Sequence, residues 1–287
     1  MALRDDREPH RQCVSGGTDL PLATRGQDDD MTSAAIPNQS RAVLVTGGSR
    51  GIGAAIARAF AQKGDRVAVH YGTSAEKAEA VRTSLSGEGH VIVQADLTSA
   101  DEIKVAVDIA AERLGRLDVL VNNAGVFLAH PPLDTSYDEW QAAWSQTIAT
   151  NLTGAANATF CAIPHLRAAG GGAVVNVSSR GAFRGEPDCP AYGASKAGMN
   201  AFGQSMALVL APHGISVGTV APGFVETEMA REVLDGPGGD AVRAQSPFGR
   251  VAHPEEVAAA VVWLASPEAR FSTGAIIDVN GASYLRS

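Results

Sequence analysis

The run A-V-L-V-T-G-G-S-R-G-I-G, Ala42 to Gly53, decides how the rest of the chain is read. A short Val-rich run bounded by turn residues predicts a buried parallel strand. Gly47, Gly51 and Gly53 then close a strand–turn–helix junction. Glycine permits positive φ in such a turn and lets the backbone come close to a pyrophosphate. The helix predicted over 52–63 offers its N-terminal amides to the same place. The spacing is G-x-x-x-G-x-G rather than G-x-G-x-x-G, so its weight comes from its position after a first strand.

Beyond that junction, apolar runs alternate with helical patterns. Strands are predicted over 42–46, 66–70, 90–95, 118–122, 173–177, 216–220 and 275–279. Helices are predicted over 52–63, 75–86, 100–114, 140–169, 192–211 and 254–265. A β–α series with no composition break predicts an α/β fold: a single doubly wound Rossmann domain over 41–287, about seven parallel strands with helices on both faces. Residues 1–40 are polar, with an acidic triplet at 28–30, and predict a disordered tail. Met31 is a candidate start, because the residues after it lead straight into the first strand.

A formal charge of −8 argues against a nucleic-acid footprint, and no apolar stretch is long enough to span a bilayer. The three cysteines, Cys13, Cys161 and Cys189, are too scattered for a disulfide framework. The seven histidines form no cluster with cysteine that suggests a metal. These features predict a cytoplasmic protein acting on a small molecule.

The second strand ends in His70-Tyr71-Gly72-Thr73-Ser74, with no carboxylate to bond a ribose 2′-hydroxyl. Arg50, inside the glycine loop, can meet a 2′-phosphate, and Thr73 and Ser74 add hydroxyl donors. The expected cofactor is therefore NADP(H) rather than NAD(H). Asp96-Leu97 closes the third strand, where an acid either accepts from an adenine amino group or caps the next helix. The fourth strand ends in Asn122-Asn123-Ala124-Gly125, which either lines the crevice or forms a turn. The candidate cofactor residues are Gly47, Ser49, Arg50, Gly51, Ile52, Gly53, Tyr71, Gly72, Thr73, Ser74, Asp96, Leu97, Asn123, Ala124 and Gly125. Pro222, Gly223, Val225 and Thr227 follow the sixth strand and join this set.

Tyr192 and Lys196 are four residues apart, which on a helix places them one turn apart on one face. A phenol with a pKa of about 10 is a poor proton donor or acceptor near neutrality. The neighbouring ammonium is expected to lower it. Ser178-Ser179 lies just upstream, after an apolar run, with a hydroxyl to hold a substrate oxygen.

Taken in order, T-G-x-x-x-G-x-G, D-L, N-N-A-G, N-x-T-G from Asn151, S-S, Y-x-x-x-K and P-G-x-x-x-T over 222–227 resemble the short-chain dehydrogenase/reductase family. The similarity is greatest to 3-oxoacyl-carrier-protein reductases and related NADP-dependent oxidoreductases. Ala282 stands where that family usually has a second glycine. The resemblance implies that Tyr192 is the general acid and that Lys196 binds the nicotinamide ribose and lowers the Tyr192 pKa. It implies that Ser179 bonds the substrate carbonyl and that Asn151 holds a water near Lys196. Ser179 is favoured over Ser178 because thirteen residues is the family's usual gap to the tyrosine. A homotetramer packed through the long helices is also implied.

Two other functions are weighed. One is a sugar or polyol dehydrogenase of the same family. The other is a non-catalytic dinucleotide-binding regulator, disfavoured by the intact Ser/Tyr/Lys set. Substrate choice is expected to rest on 183–191 and on 225–250, a candidate mobile lid. Val126, Phe127 and Phe224 are candidate apolar walls. Arg184 reads as a solvated surface residue and Cys189 as an ordinary loop thiol.

Overall fold

The computed structural model describes residues 40–286. The tail expected over 1–40 therefore lies, apart from Ser40, outside the described residues, as does Met31. The strands are β1 (Ala42–Val45), β2 (Arg66–Tyr71), β3 (Val91–Gln94), β4 (Val119–Asn122), β5 (Gly172–Val177), β6 (Ile215–Pro222) and β7 (Ile276–Val279). They pair in parallel as one sheet in the order β3-β2-β1-β4-β5-β6-β7. The helices are α1 (Gly51–Gln62), α2 (Ala75–Thr83), α3 (Ala100–Leu114), α4 (Tyr137–Ile148), α5 (Gly154–Ala168), α6 (Pro190–Leu210), α7 (Glu228–Asp235), α8 (Gly239–Arg243) and α9 (Pro254–Leu264).

Alternation along the strands feeds two cores, one on each face of the sheet. Val43, Val45, Val119, Val121, Val175 and Val177 face Ile56 and Phe60 of α1, Val81 of α2 and Val257 and Val261 of α9. Ala42, Leu44, Leu120 and Val174 face Ile103 and Val107 of α3, Ala158 and Leu166 of α5 and Leu210 of α6. Burial on both faces explains why these strands read as continuous apolar runs instead of half-polar ones. The sheet changes direction between β1 and β4, and a crevice opens at their carboxyl ends.

One expectation needs correction. The helix predicted over 140–169 is interrupted: α4 and α5 are joined by a π-helical turn, Ala149–Thr153. Apolar periodicity runs through the break, so pattern alone did not reveal it. Gly154, just after the turn, packs just past the end of β3, where a Cβ would come within 2.5 Å of the Leu97 carbonyl oxygen. The segment read as a lid contains the helices α7 and α8, and it starts and ends at one place, where Val225 bridges Ala252.

Candidate active site

At the β1 end of the crevice, side chains hold the glycine loop by its backbone. Thr46 Oγ1 donates to the Val121 carbonyl at 3.2 Å and accepts from Asn123 N and Ala124 N at 3.0 and 3.1 Å. Asn123 Nδ2 donates to the Thr46 and Gly47 carbonyls at 2.9 and 3.2 Å. His70, 3% exposed, closes the set. Its Nδ1 accepts from Gly47 N at 3.0 Å, so Nε2 carries the hydrogen and donates to the Ala95 carbonyl at 3.1 Å. Burial lowers its pKa to about 4, against a weaker opposing effect of the Ala95 bond. Gly47 needs its φ of +63°. Gly53 is required by packing: a Cβ would overlap the Gly47 carbonyl oxygen and lie 2.5 Å from Asn123 Nδ2.

The candidate cofactor residues gather around this loop. Arg50 is exposed where α1 begins, and its side chain does not cap that helix. Ser49 and Ile52 flank it, half-buried. Tyr71 is buried, while Gly72 and Thr73 are exposed at the mouth. Ser74 starts α2 without a side-chain cap bond, so its hydroxyl is uncommitted. Asp96 does not cap α3; Ser99 does, and Asp96 Oδ1 accepts from Thr98 N at 2.8 Å. Asn123 lines the crevice through its backbone, because its amide is committed to the loop. Pro222 ends β6, and Gly223 packs where a Cβ would meet Asn280 at 3.0 Å. Val225 is buried, and the Thr227 hydroxyl caps α7 by accepting from Ala230 N at 3.3 Å. A dinucleotide fits this donor set, which is an open glycine turn with a free guanidinium and free hydroxyls at its rim.

The second group converges from β4, β5, the π turn and α6. Lys196 is 3% exposed, and its Nζ donates to the Val177 carbonyl at 2.9 Å. Burial lowers its pKa to about 8. An ammonium has three hydrogens, so two remain for a ligand. A Cβ on Gly125 would sit 3.2 Å from Asn151 Oδ1 and 3.5 Å from Lys196 Nζ, so glycine at 125 leaves the amine uncovered. Asn151, fully buried in the π turn, bonds the Val126 backbone both ways, at 2.8 and 3.0 Å, and donates to Ser195 Oγ at 3.1 Å. These bonds fix the Asn151 side chain between Val126 and Ser195.

Tyr192 is half-buried, with Phe127 edge-on to its ring at 4.8 Å. Ser179 is the serine that acts on the Tyr192 phenol, opposing the rise of its pKa. Its Oγ accepts from Gly181 N at 3.0 Å, leaving its hydrogen free to donate. Ser178, by contrast, is buried and donates to the Lys196 carbonyl at 3.2 Å. The expected lowering of the Tyr192 pKa is corrected. Burial raises it, Ser179 opposes, and Glu186 and Cys189 raise it further. Lys196 Nζ lies over the ring, 5.8 Å from its centroid, and donates to the Val177 carbonyl.

Sequence reasoning missed three residues here. His70 pins the loop. His130, 1% exposed, donates from Nδ1 to the Leu128 carbonyl at 2.7 Å and accepts at Nε2 from Ala191 N at 3.1 Å, fixing the start of α6. Arg180 is buried beside Ser179. They share no sequence signal, and only Arg180 directly follows a motif, the serine pair at 178–179. Cys189 is buried, and its thiol is pushed up to about 11, which makes it inert.

The family described as Enoyl-(Acyl carrier protein) reductase matches residues 47–282. A cis-4-hydroxycyclohexanecarboxylate dehydrogenase from Sinomonas cyclohexanicum is 41% identical over 84% of this chain and 95% of its own. The 3-oxoacyl-[acyl-carrier-protein] reductase FabG of Staphylococcus aureus is 38% identical over 86% of this chain and 99% of its own. A short-chain dehydrogenase from Burkholderia cenocepacia, solved in complex with NADP, superimposes with a TM-score of 0.76 at 36% identity. That match covers 85% of this chain and 97% of the solved one.

Proposed function

Because the chain belongs to the short-chain dehydrogenase/reductase family and is an oxidoreductase of it, we propose that it interconverts a carbonyl and a secondary alcohol with NADP(H), in the manner of a 3-oxoacyl reductase. The observation that carries this is the Lys196 amine, bonded once to the Val177 carbonyl, left uncovered by Gly125 and lying 5.8 Å from the centroid of the Tyr192 ring. The non-catalytic reading falls with the family assignment.

When bound, the dinucleotide supplies or accepts the hydride. Reduction builds negative charge on the substrate oxygen. Ser179 donates a hydrogen bond to that oxygen, and Tyr192 gives it a proton. Donors aimed at charge that grows in the transition state lower the barrier more than they aid ground-state binding. A phenol whose pKa lies above its ordinary 10.0 stays protonated at neutral pH, which suits the acid role. Lys196 presents its two free hydrogens to the ribose hydroxyls. Asn151 and Gly125 keep that approach open.

Arg50, Thr73 and Ser74 hold the 2′-phosphate of NADP(H), and the absence of an acid after β2 supports that preference. The remaining candidates, from the glycine loop to Thr227, shape the dinucleotide crevice. We place the protein in the cytoplasm as a homotetramer. Phe160 on α5 and Leu208 on α6, 74% and 82% exposed, support pairing through those helices, and light scattering tests it.

The decisive experiment follows NADPH absorbance against a panel of ketones and 3-oxoacyl thioesters. Steady consumption with one member supports the reading, and none with any member overturns it. In Arg50→Ala the KM for NADPH rises about tenfold while that for NADH holds; equal effects on both remove the arginine's role.

A further inference from the structure

Arg180 follows Ser179 directly and is only 5% exposed. A guanidinium keeps its charge at any accessible pH, so burying one requires partners. Its Nη1 donates to two neutral oxygens, Gln245 Oε1 and Ser283 Oγ, each at 2.8 Å. Its plane rests on Phe224, 5.2 Å from the ring centroid. Among the described residues, no carboxylate forms an ion pair with it. Burial lowers its pKa and Arg184 adds to that, while Glu186 opposes them. Glu186 acts on it through space without bonding to it.

A cleft of about 160 Å³ opens against this guanidinium. Phe224, Val242, Val251 and Val279 give it apolar walls. Its other two charges cancel, because Arg250 grips Glu256 with two bonds at 2.7 and 2.8 Å. What remains is an apolar cleft with one buried cation that no carboxylate bonds, next in sequence to Ser179.

We propose that Arg180 anchors a carboxylate of the substrate, so that the enzyme acts on a small keto or hydroxy acid with an apolar body. This rests on the oxidoreductase reading of Ser179 and Tyr192. A carboxylate supplies the missing counter-charge and matches the planar fork of a guanidinium. A neutral analogue leaves that cation buried and unpaired, which is how such a site rejects it.

The test has two arms. Calorimetric titration with benzoate needs no turnover. Wild type binds it, and Arg180→Gln binds it about 10- to 100-fold more weakly. Ser283→Asp keeps the arginine and its position but installs an internal counter-ion, and it shows the same loss. It also decides the matter if Arg180→Gln fails to fold. The second arm compares keto acids with their methyl esters by NADPH consumption. Wild type prefers the acids by about 10- to 100-fold in kcat/KM, expressed in KM, and both variants abolish the preference. No benzoate binding by wild type, or binding indifferent to both substitutions, overturns the proposal. So does a uniform loss of acid and ester turnover with the preference intact, which makes Arg180 a latch between Gln245 and Ser283. Benzoate binding that depends on Arg180, with no ketone turned over, leaves the anchor standing and refutes the proposed reaction.

Discussion

The two ends of the crevice are held in different ways. At the β1 end, Thr46, His70 and Asn123 spend their polar atoms on backbone amides and carbonyls of the glycine loop. At the β5 end, Arg180, Gln245 and Ser283 are fixed by side chain to side chain, across 65 and 103 positions of sequence. The first arrangement presents backbone to a ligand and tolerates little change. The second presents side chains brought together from remote segments, so its chemistry is free to vary while the sheet stays the same. This is why motifs mark the cofactor end and fade toward the substrate.

The largest expected effect tests the catalytic side of this contrast. Tyr192→Phe lowers kcat by about 100- to 1,000-fold and leaves NADPH binding unchanged, read by stopped-flow and fluorescence titration. Substantial residual turnover removes the tyrosine from the chemistry. A pH series on the wild type probes the same group. Alcohol oxidation needs the phenolate, whose fraction grows about tenfold per pH unit below its pKa. With that pKa above 10.0, oxidation climbs through the alkaline range without levelling off, while reduction stays flat near neutrality. A plateau in oxidation near pH 7 means that the phenol is acidified after all.

The cofactor end is tested through stability. His70 has a folded pKa of about 4 against 6.5 when free. Below 6.5 the unfolded chain takes up a proton that the folded one refuses, so stability falls as pH drops from 6.5 to 4. The loss reaches about 3 kcal/mol at most. His70→Gln keeps one acceptor and one donor but cannot gain the proton, and its melting temperature is flatter over that window. An unchanged acid limb means that His70 is not what ties the loop down. The smallest effect separates the two serines. Ser178→Ala costs about 1 kcal/mol of stability and little activity, as loss of one bond to the Lys196 carbonyl implies. If it instead matches Ser179→Ala in lost turnover, the roles are reversed.

Much of this protein is legible along the chain. The seven apolar runs fall on the seven strands, within a few residues at each end. Glycine spacing after β1 marks the loop, because positive φ and close approach are demands that few residues meet. The Tyr192–Lys196 interval works the same way, through the pitch of a helix. The π turn at Asn151 escaped because it adds a residue without disturbing the apolar pattern. The direction of the Tyr192 pKa escaped because a four-residue interval locates the amine near the ring but says nothing of the carbonyl that captures it.

The sequence alone determined the parallel sheet, the place of the crevice and the one-turn interval of Tyr192 and Lys196, since these follow from local periodicity and short-range spacing, while the choice of Ser179 over Ser178 came from the family resemblance. Only the tertiary structure decided that His70 clasps the glycine loop, that the Asn151 side chain braces Val126 and Ser195 and that Arg180 is a buried charge to which no carboxylate bonds. Each of those depends on partners distant in sequence and on burial, and electrostatic energies change sign with both.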